Sequence, residues 1–214
     1  MSLVRVLHDH DDEDVMALLR AIHRALPDDG VVVVLSGDVP LTQADTLQAL
    51  LDLCDGKQLA LLTIDFADPT GYGRIVRNAA GDVLAIVEHK DASEAQRAIA
   101  EVYSGIMAVP TRLLRGWLAR LDNRNAQGEY YLTDVVKFAA ADGLTVKAHR
   151  ISDAVQVAGV NSPAQLAELE RAHQRRLAEA HMAAGVRLAD PARFDVRGEL
   201  VCGQDVEIDV NCVF

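Results

Sequence analysis

Residues 31–42, VVVVLSGDVPLT, run four valines into a glycine, a single aspartate and a proline, with no other charge nearby. An unbroken β-branched run reads as a strand covered on both faces. Asp38 then falls just past the carboxyl end of a predicted parallel strand, the edge at which open α/β sheets bind ligands. A carboxylate there, beside a glycine (Gly37) that lets a backbone approach closely, suits Mg²⁺ holding a nucleotide's phosphates. It suits equally a loop aspartate that caps the next helix. DPTGYGRI, residues 68–75, places Gly71 and Gly73 around a tyrosine ahead of a strand. Glycines so placed expose backbone N–H groups to a ligand, or simply make a tight turn. VEHKD, residues 87–91, ends a strand on Glu88, which could accept hydrogen bonds from sugar hydroxyls or stand in solvent. NAQGEYYLTD, residues 125–134, is a substrate loop or a long helix entry. Asn161, immediately before a helix, can lend an amide oxygen to a hard cation or close a turn.

Other chemistries find no support. HDHDDED, residues 8–14, is consecutive rather than spaced on one face, and its acids suit a helix N-terminus better than a metal site. The chain has no G-x-S-x-G, no H-E-x-x-H and no Walker lysine loop. Cys54, Cys202 and Cys212 show no C-x-x-C spacing, which fits a reducing cytoplasm rather than a disulfide framework. A net charge of −11 argues against nonspecific binding to nucleic acid or an anionic membrane. The N-terminus has no signal-like apolar stretch and no run is long enough to span a membrane, so a soluble cytoplasmic protein is expected.

These motifs must be positioned by regular elements. Val15, Leu18, Leu19, Ile22 and Leu26 recur at helical spacing. The 31–35 strand follows, then a helix beginning at Thr42 and Asp45 with Leu47, Leu50, Leu51 and Cys54 on one stripe, then a buried strand over 59–64. That order predicts a parallel sheet with helical crossovers. GRIVRNAAGDVLAIVEH reads as a hairpin, residues 92–100 as helical and YSGIMAV as a strand. Leu113, Leu114, Trp117, Leu118 and Leu121 mark a further helix, with Trp117 in the core; residues 133–141 read as helix and 145–149 as a short strand. A long helix runs over 162–184 with Ser162 as cap, Pro163 at its first position and a thin stripe of Leu166, Leu169, His173 and Leu177. Past Gly185 two sets of residues recur six apart: Leu200, Val206, Cys212 and Cys202, Ile208, Phe214. That period marks a left-handed parallel β-helix.

Taken in order, GDVPL, DPTGYGRI, IVEHKDAS, NAQGEYYLTD, AGVN, a long helix and DPARFDVRGEL with GQDVEID resemble one family. It is the bacterial bifunctional enzyme that joins glucosamine-1-phosphate acetyltransferase to N-acetylglucosamine-1-phosphate uridyltransferase, and the resemblance covers residues 20–214. It implies a partial Rossmann-like nucleotidyltransferase domain with a mixed sheet over 1–161, a helical arm over 162–185 and the start of a left-handed β-helix over 186–214. The implied reaction converts UTP and N-acetylglucosamine-1-phosphate to UDP-N-acetylglucosamine and pyrophosphate, for peptidoglycan and lipopolysaccharide precursors, in a homotrimer. The implied Mg²⁺ ligands are Asp38 and Asn161, and the sugar-nucleotide contacts fall on Gly37, Gly73 and Glu88. Two contact positions depart from the pattern: Ser36 stands for the usual Tyr, and Tyr103 for a sugar-contacting Asn. The family's glycine-rich triphosphate loop has no counterpart in this sequence, so no catalytic residue is assigned and turnover of UTP by the chain alone is not expected. The alternative is a non-catalytic sugar-nucleotide-binding or assembly module on the same fold.

Overall fold

The computed structural model describes residues 26–214. The acidic stretch over 8–14, and the helix expected over 15–26 apart from Leu26, lie outside the described residues. The chain divides into two compact units, Met1–Val157 and Ala158–Phe214. Among the described residues no helix is long and apolar enough to cross a membrane.

The first unit is built on a six-stranded sheet. Its elements are β1 (Val31–Val34), α1 (Ala44–Cys54), β2 (Leu59–Asp65), β3 (Arg74–Arg77), β4 (Val83–Val87), a single turn α2 (Glu94–Arg97), β5 (Glu101–Pro110), α3 (Thr111–Leu118), α4 (Asp134–Ala141) and β6 (Val146–Ile151). The ten-residue β5 organises the sheet. One of its edges carries β2 along its length, antiparallel, and β2 in turn pairs in parallel with β6. Its other edge is shared: β3 pairs at Val102, and β1 pairs from Met107 to Pro110. β4 closes the β3 side as an antiparallel hairpin.

The sheet is therefore mixed, as the resemblance implies, and the parallel sheet read from the order of the first elements is corrected. β1 and β2 do run the same way, but the antiparallel β5 lies between them. β2 fits its apolar run: Leu59 and Leu61 join a cluster with Leu114, Trp117, Val135 and Val136, while Ala60, Leu62 and Ile64 join one with Leu50 and Cys54. Period-two alternation thus buries both faces, α1 on one side and α3 with α4 on the other. The four valines of β1 also alternate between the two clusters, yet each is only half-buried. β5 is its sole partner strand among the described residues, and both of its faces are covered, though less fully than the apolar run led one to expect.

Local expectations shift where tertiary contacts claim a side chain. Thr42 does not cap α1; its hydroxyl donates to the Gln156 carbonyl at 2.9 Å, and the N-cap position is Gln43. Only Glu94–Arg97 is helical within 92–100, started by a capping box in which Ser93 and Gln96 serve each other's backbone N–H groups. Trp117 is buried, and its ring N–H donates to Asp142 at 2.9 Å.

In the second unit α5 (Pro163–Ala183) begins as expected, with Ser162 accepting from the Gln165 N–H. Its buried stripe is Leu169, Gln174 and Ala178 rather than the expected set, and Leu166 is exposed. Gln174 works as a strand surrogate: its amide donates to the Val196 carbonyl at 2.9 Å and accepts the Val196 N–H at 2.8 Å. Four two-residue strands follow, β7 (Arg187–Leu188), β8 (Phe194–Asp195), β9 (Glu207–Ile208) and β10 (Cys212–Val213). β7 pairs with β9 and β8 with β10, both in parallel. Leu200, Val206 and Cys212, with Cys202 and Ile208 of the second six-residue series, pack in one cluster around Phe194.

Candidate functional site

The site is organised by an irregularity in β5. Between Leu61 and Thr63 the β2 register on β5 jumps from Met107 to Tyr103, so residues 104–106 form a bulge. Ser104 stabilises it by donating its hydroxyl to the Leu62 carbonyl at 2.8 Å. Gly105, at φ +89°, sits in the left-handed region that a side chain resists. A bulge bends a strand and re-aims its side chains, which is why bulges recur beside binding sites. On the opposite edge, the bulge coincides with the gap between the end of β1 and the start of β3. Two of the motifs enter that gap from opposite sides.

From β1 comes the Ser36–Gly37–Asp38 turn, closed by the Val39 N–H on the Ser36 carbonyl at 3.2 Å. The Ser36 hydroxyl lies against Gly105, 2.4 Å from where a Cβ would stand, so that position admits only glycine. Asp38 is half-buried, and its carboxylate has no hydrogen-bond or ion-pair partner among the described residues. From β3 comes Gly73, whose carbonyl accepts the Tyr103 N–H at 2.9 Å. Gly73 also packs against Glu88, which closes β4. The Glu88 carboxylate accepts the Thr133 hydroxyl at 2.8 Å. Ser36, Gly105, Tyr103, Gly73, Glu88 and Thr133 therefore form one continuous line of contacts, with Gly37 and Asp38 at its β1 end.

Electrostatics follow from that packing. Burial, and then the Glu88 charge, push the Tyr103 phenol well above its ordinary pKa, so the ring remains neutral throughout the physiological range. Beneath the Gly73 turn, Arg74 is almost wholly buried. Its guanidinium donates to the Tyr72 carbonyl and, at 3.4 Å, to the Arg97 carbonyl, and it meets His89 Nδ1 at 3.3 Å. An arginine can only donate, so His89 presents Nδ1 as acceptor there. The two glycine and glutamate motifs are thereby fastened together from below.

Of the residues expected at a site, Ser36, Gly37, Asp38, Gly73, Glu88 and Tyr103 all lie in the first unit along this line. Asn161 belongs to the second unit. It is exposed, and its backbone N–H donates to Gln165 Oε1 at 2.8 Å, extending the α5 cap. Gly105 is not among the expected site residues, and Thr133 falls in the candidate 125–134 loop without being singled out. A glycine inside the YSGIM strand is the signal for Gly105; nothing local distinguishes Thr133. Among the described residues no three His, Cys, Asp or Glu side chains are grouped to hold a metal. A hard cation would therefore depend on lone oxygen donors such as Asp38, a mode suited to Mg²⁺, which keeps waters and phosphates as its other ligands.

Comparison with known proteins gives three findings. Residues 1–64 match a family model described as an O-methyltransferase domain. From residue 26 on, that stretch forms β1, α1 and β2 of the mixed sheet. A Bacillus anthracis structure assigned as a glucose-1-phosphate thymidylyltransferase, in complex with a sucrose, superposes with a TM-score of 0.50 at 17% identity, over 72% of this chain and 58% of that one. That likeness concerns the fold alone. The curated relatives are far closer in sequence. The bifunctional protein GlmU of Polaromonas naphthalenivorans is 76% identical over 192 residues, 88% of this chain and 41% of its own length. That of Paracidovorax citrulli is 71% identical over 198 residues, 89% of this chain and 42% of its own length. The chain thus spans about two-fifths of the length of the curated relatives it matches. Over the matched nine-tenths of its own length, this chain is similar to the corresponding part of the bifunctional GlmU proteins.

Proposed function

We propose that the chain supplies the sugar-nucleotide-binding residues of a sugar-phosphate nucleotidyl transfer of the UDP-N-acetylglucosamine pyrophosphorylase type, without turning over UTP by itself. In that reaction an oxygen of N-acetylglucosamine-1-phosphate attacks the α-phosphorus of UTP and pyrophosphate leaves. The observation that carries this reading is the contact line across the β1–β3 gap. It holds the Asp38 carboxylate, without a partner among the described residues, at one end and a glycine–glutamate pair at the other. Glu88 accepts sugar hydroxyls beside the Gly73 backbone, and Tyr103 and Ser36 wall the space between. Asp38 is the residue that would hold Mg²⁺, which supplies charge neutralisation at the phosphates. For Asn161, as a further oxygen donor, the support is its motif. With no covalent nucleophile required, these residues act by orienting two anions toward each other.

The second unit is proposed as the start of a left-handed β-helix. Phe194 beside Cys212 and Leu188 beside Ile208 are parallel neighbours about one turn of three six-residue faces apart. The homotrimeric state, the cytoplasmic location, the division at 161 and 185 and the role in peptidoglycan and lipopolysaccharide precursor synthesis extend this same reading.

Calorimetric titration of the chain with UDP-N-acetylglucosamine, with and without Mg²⁺, tests it. Binding that requires Mg²⁺ is expected, weakened about tenfold or more by Asp38→Ala and by Glu88→Gln, each of which removes a charge-assisted contact. Binding indifferent to Mg²⁺ and to both substitutions would sink the assignment.

A further inference from the structure

The turn after β4 contributes a second carboxylate. Three residues past Glu88, the Asp91 N–H closes onto the Glu88 carbonyl at 3.0 Å. Asp91 then uses both oxygens on one distant loop: Oδ1 accepts the Ala126 N–H at 2.8 Å and Oδ2 the Tyr131 hydroxyl at 3.2 Å. The loop between these points is already shaped by its own bonds. Asn125 Oδ1 accepts the N–H groups of Gln127 at 3.1 Å and Glu129 at 3.2 Å, and the Gly128 N–H bonds the Asn125 carbonyl at 3.2 Å. Besides the local turn bond from the Asp134 N–H to the Tyr131 carbonyl at 3.1 Å, the two bonds to Asp91 are, among the described residues, the hydrogen bonds that join residues 125–131 to the rest of the unit. Between loop and turn lies a cavity of about 230 Å³, lined among others by Glu88, Asp91, Arg124, Asn125, Tyr131 and Lys137. Two residues beyond Tyr131, Thr133 reaches Glu88.

We propose that Asp91 is a latch: a positioning residue that docks the preformed 125–131 loop onto the Glu88 turn and so sets where Tyr131 and Thr133 stand at the sugar end of the site. As a statement about ligand binding this rests on the function proposed above; as a statement about the loop it does not. The geometry favours a latch over an incidental surface contact because one carboxylate brackets the loop at both ends. Losing either bond frees only one end, whereas losing the carboxylate frees both. Partial burial, and then the hydrogen bond to Asp91, raise the Tyr131 pKa. The phenol therefore remains a donor to Asp91 at neutral pH.

The test is limited trypsin digestion of the full chain, following the Arg124–Asn125 bond by mass spectrometry. Each hydrogen bond lost shifts a loop-opening equilibrium by about three- to tenfold. Cleavage there should accelerate by roughly that factor in Tyr131→Phe and by more in Asp91→Ala. Asp91→Asn, which keeps one acceptor oxygen, should fall nearer the parent chain. Circular dichroism establishes that each variant is folded, and Tyr131→Phe serves should Asp91→Ala not be. Equal cleavage rates in all four chains overturn the latch. The affinity for UDP-N-acetylglucosamine is measured on the same samples. A faster-cleaving Asp91→Ala that also binds several-fold more weakly supports both claims. Faster cleavage with no binding by any chain overturns the functional assignment and leaves the latch standing; faster cleavage with unchanged affinity overturns the latch's role at the site.

Discussion

A Cβ on Gly73 would meet Ile86 Cγ2 at 2.6 Å and both Glu88 carboxylate oxygens at 3.5 Å. Ile86 is held in the core, so the added methyl cannot be absorbed by a free side-chain end. Gly73→Ala should therefore cost about 1–3 kcal/mol, the usual range for overpacking, and relief of the Ile86 clash should shift the Gly73 backbone that faces Glu88. Urea denaturation reads the first effect and sugar-nucleotide titration the second. A variant as stable as the parent and with parental affinity would show that Gly73 is a turn residue only. Gly105 differs: the Ser36 hydroxyl and its own positive φ both exclude a side chain there, so the constraint is conformational as well as steric. Both glycines stand where a motif meets the β5 bulge, which explains why single residues with no reactive group matter at this edge.

At the scale of elements, four strands are stitched by charge. Arg77 of β3 grips Glu101 of β5 with Nε at 2.8 Å and Nη2 at 2.7 Å, and Thr63 of β2 donates to the same carboxylate at 2.9 Å. Arg150 of β6 then pairs with Asp65 of β2. Burial would raise the Glu101 pKa, but the hydrogen bonds from Arg77 and Thr63 outweigh it and leave the carboxyl below its ordinary value of 4.5. A depressed folded-state pKa contributes stability that is present above the unfolded value and lost as pH falls through the folded one. Glu101→Gln should thus destabilise by up to about 3 kcal/mol at neutral pH, the low end for breaking a buried pair, since Arg77 is partly solvated. The difference from the parent should shrink as pH falls below 4.5. Denaturant midpoints across that range check it, and a difference independent of pH would contradict the assignment.

At the scale of the molecule the net charge is −11, and several of the described cations are engaged by carboxylates. Arg120, Arg150, Arg171 and Arg187 each lie in an ion pair with a carboxylate. Such exposed pairs add little stability, and with acids outnumbering bases the chain has little net positive field to displace counterions from a polyanion. The chain should pass through heparin or DNA columns unretained even at low salt, and retention there would point to a basic surface the pairing conceals. Under the proposed function, recognition of phosphate would then depend on local donors at the β5 gap rather than on the overall field.

Much of the chain was legible from residues alone. The β2 run, the start of α5 at Ser162–Pro163, the core role of Trp117 and the six-residue recurrence after Gly185 are local patterns. Their physics is periodicity and capping, and it acts over a few residues. The ordered motifs were equally legible, and they led to the family. Tertiary structure decided what those patterns could not reach. Which strand lies beside β1 depends on β5, some seventy residues away, because apolar runs of similar burial can pair in more than one order. Thr42 turned from helix cap to Gln156 partner for the same reason, a distant carbonyl competing for a local hydroxyl. The sequence determined which residues could do chemistry at Asp38, Gly73 and Glu88. Only the split edge of β5 decided that their loops share one line of contact, since long-range strand pairing leaves no signature at short spacing.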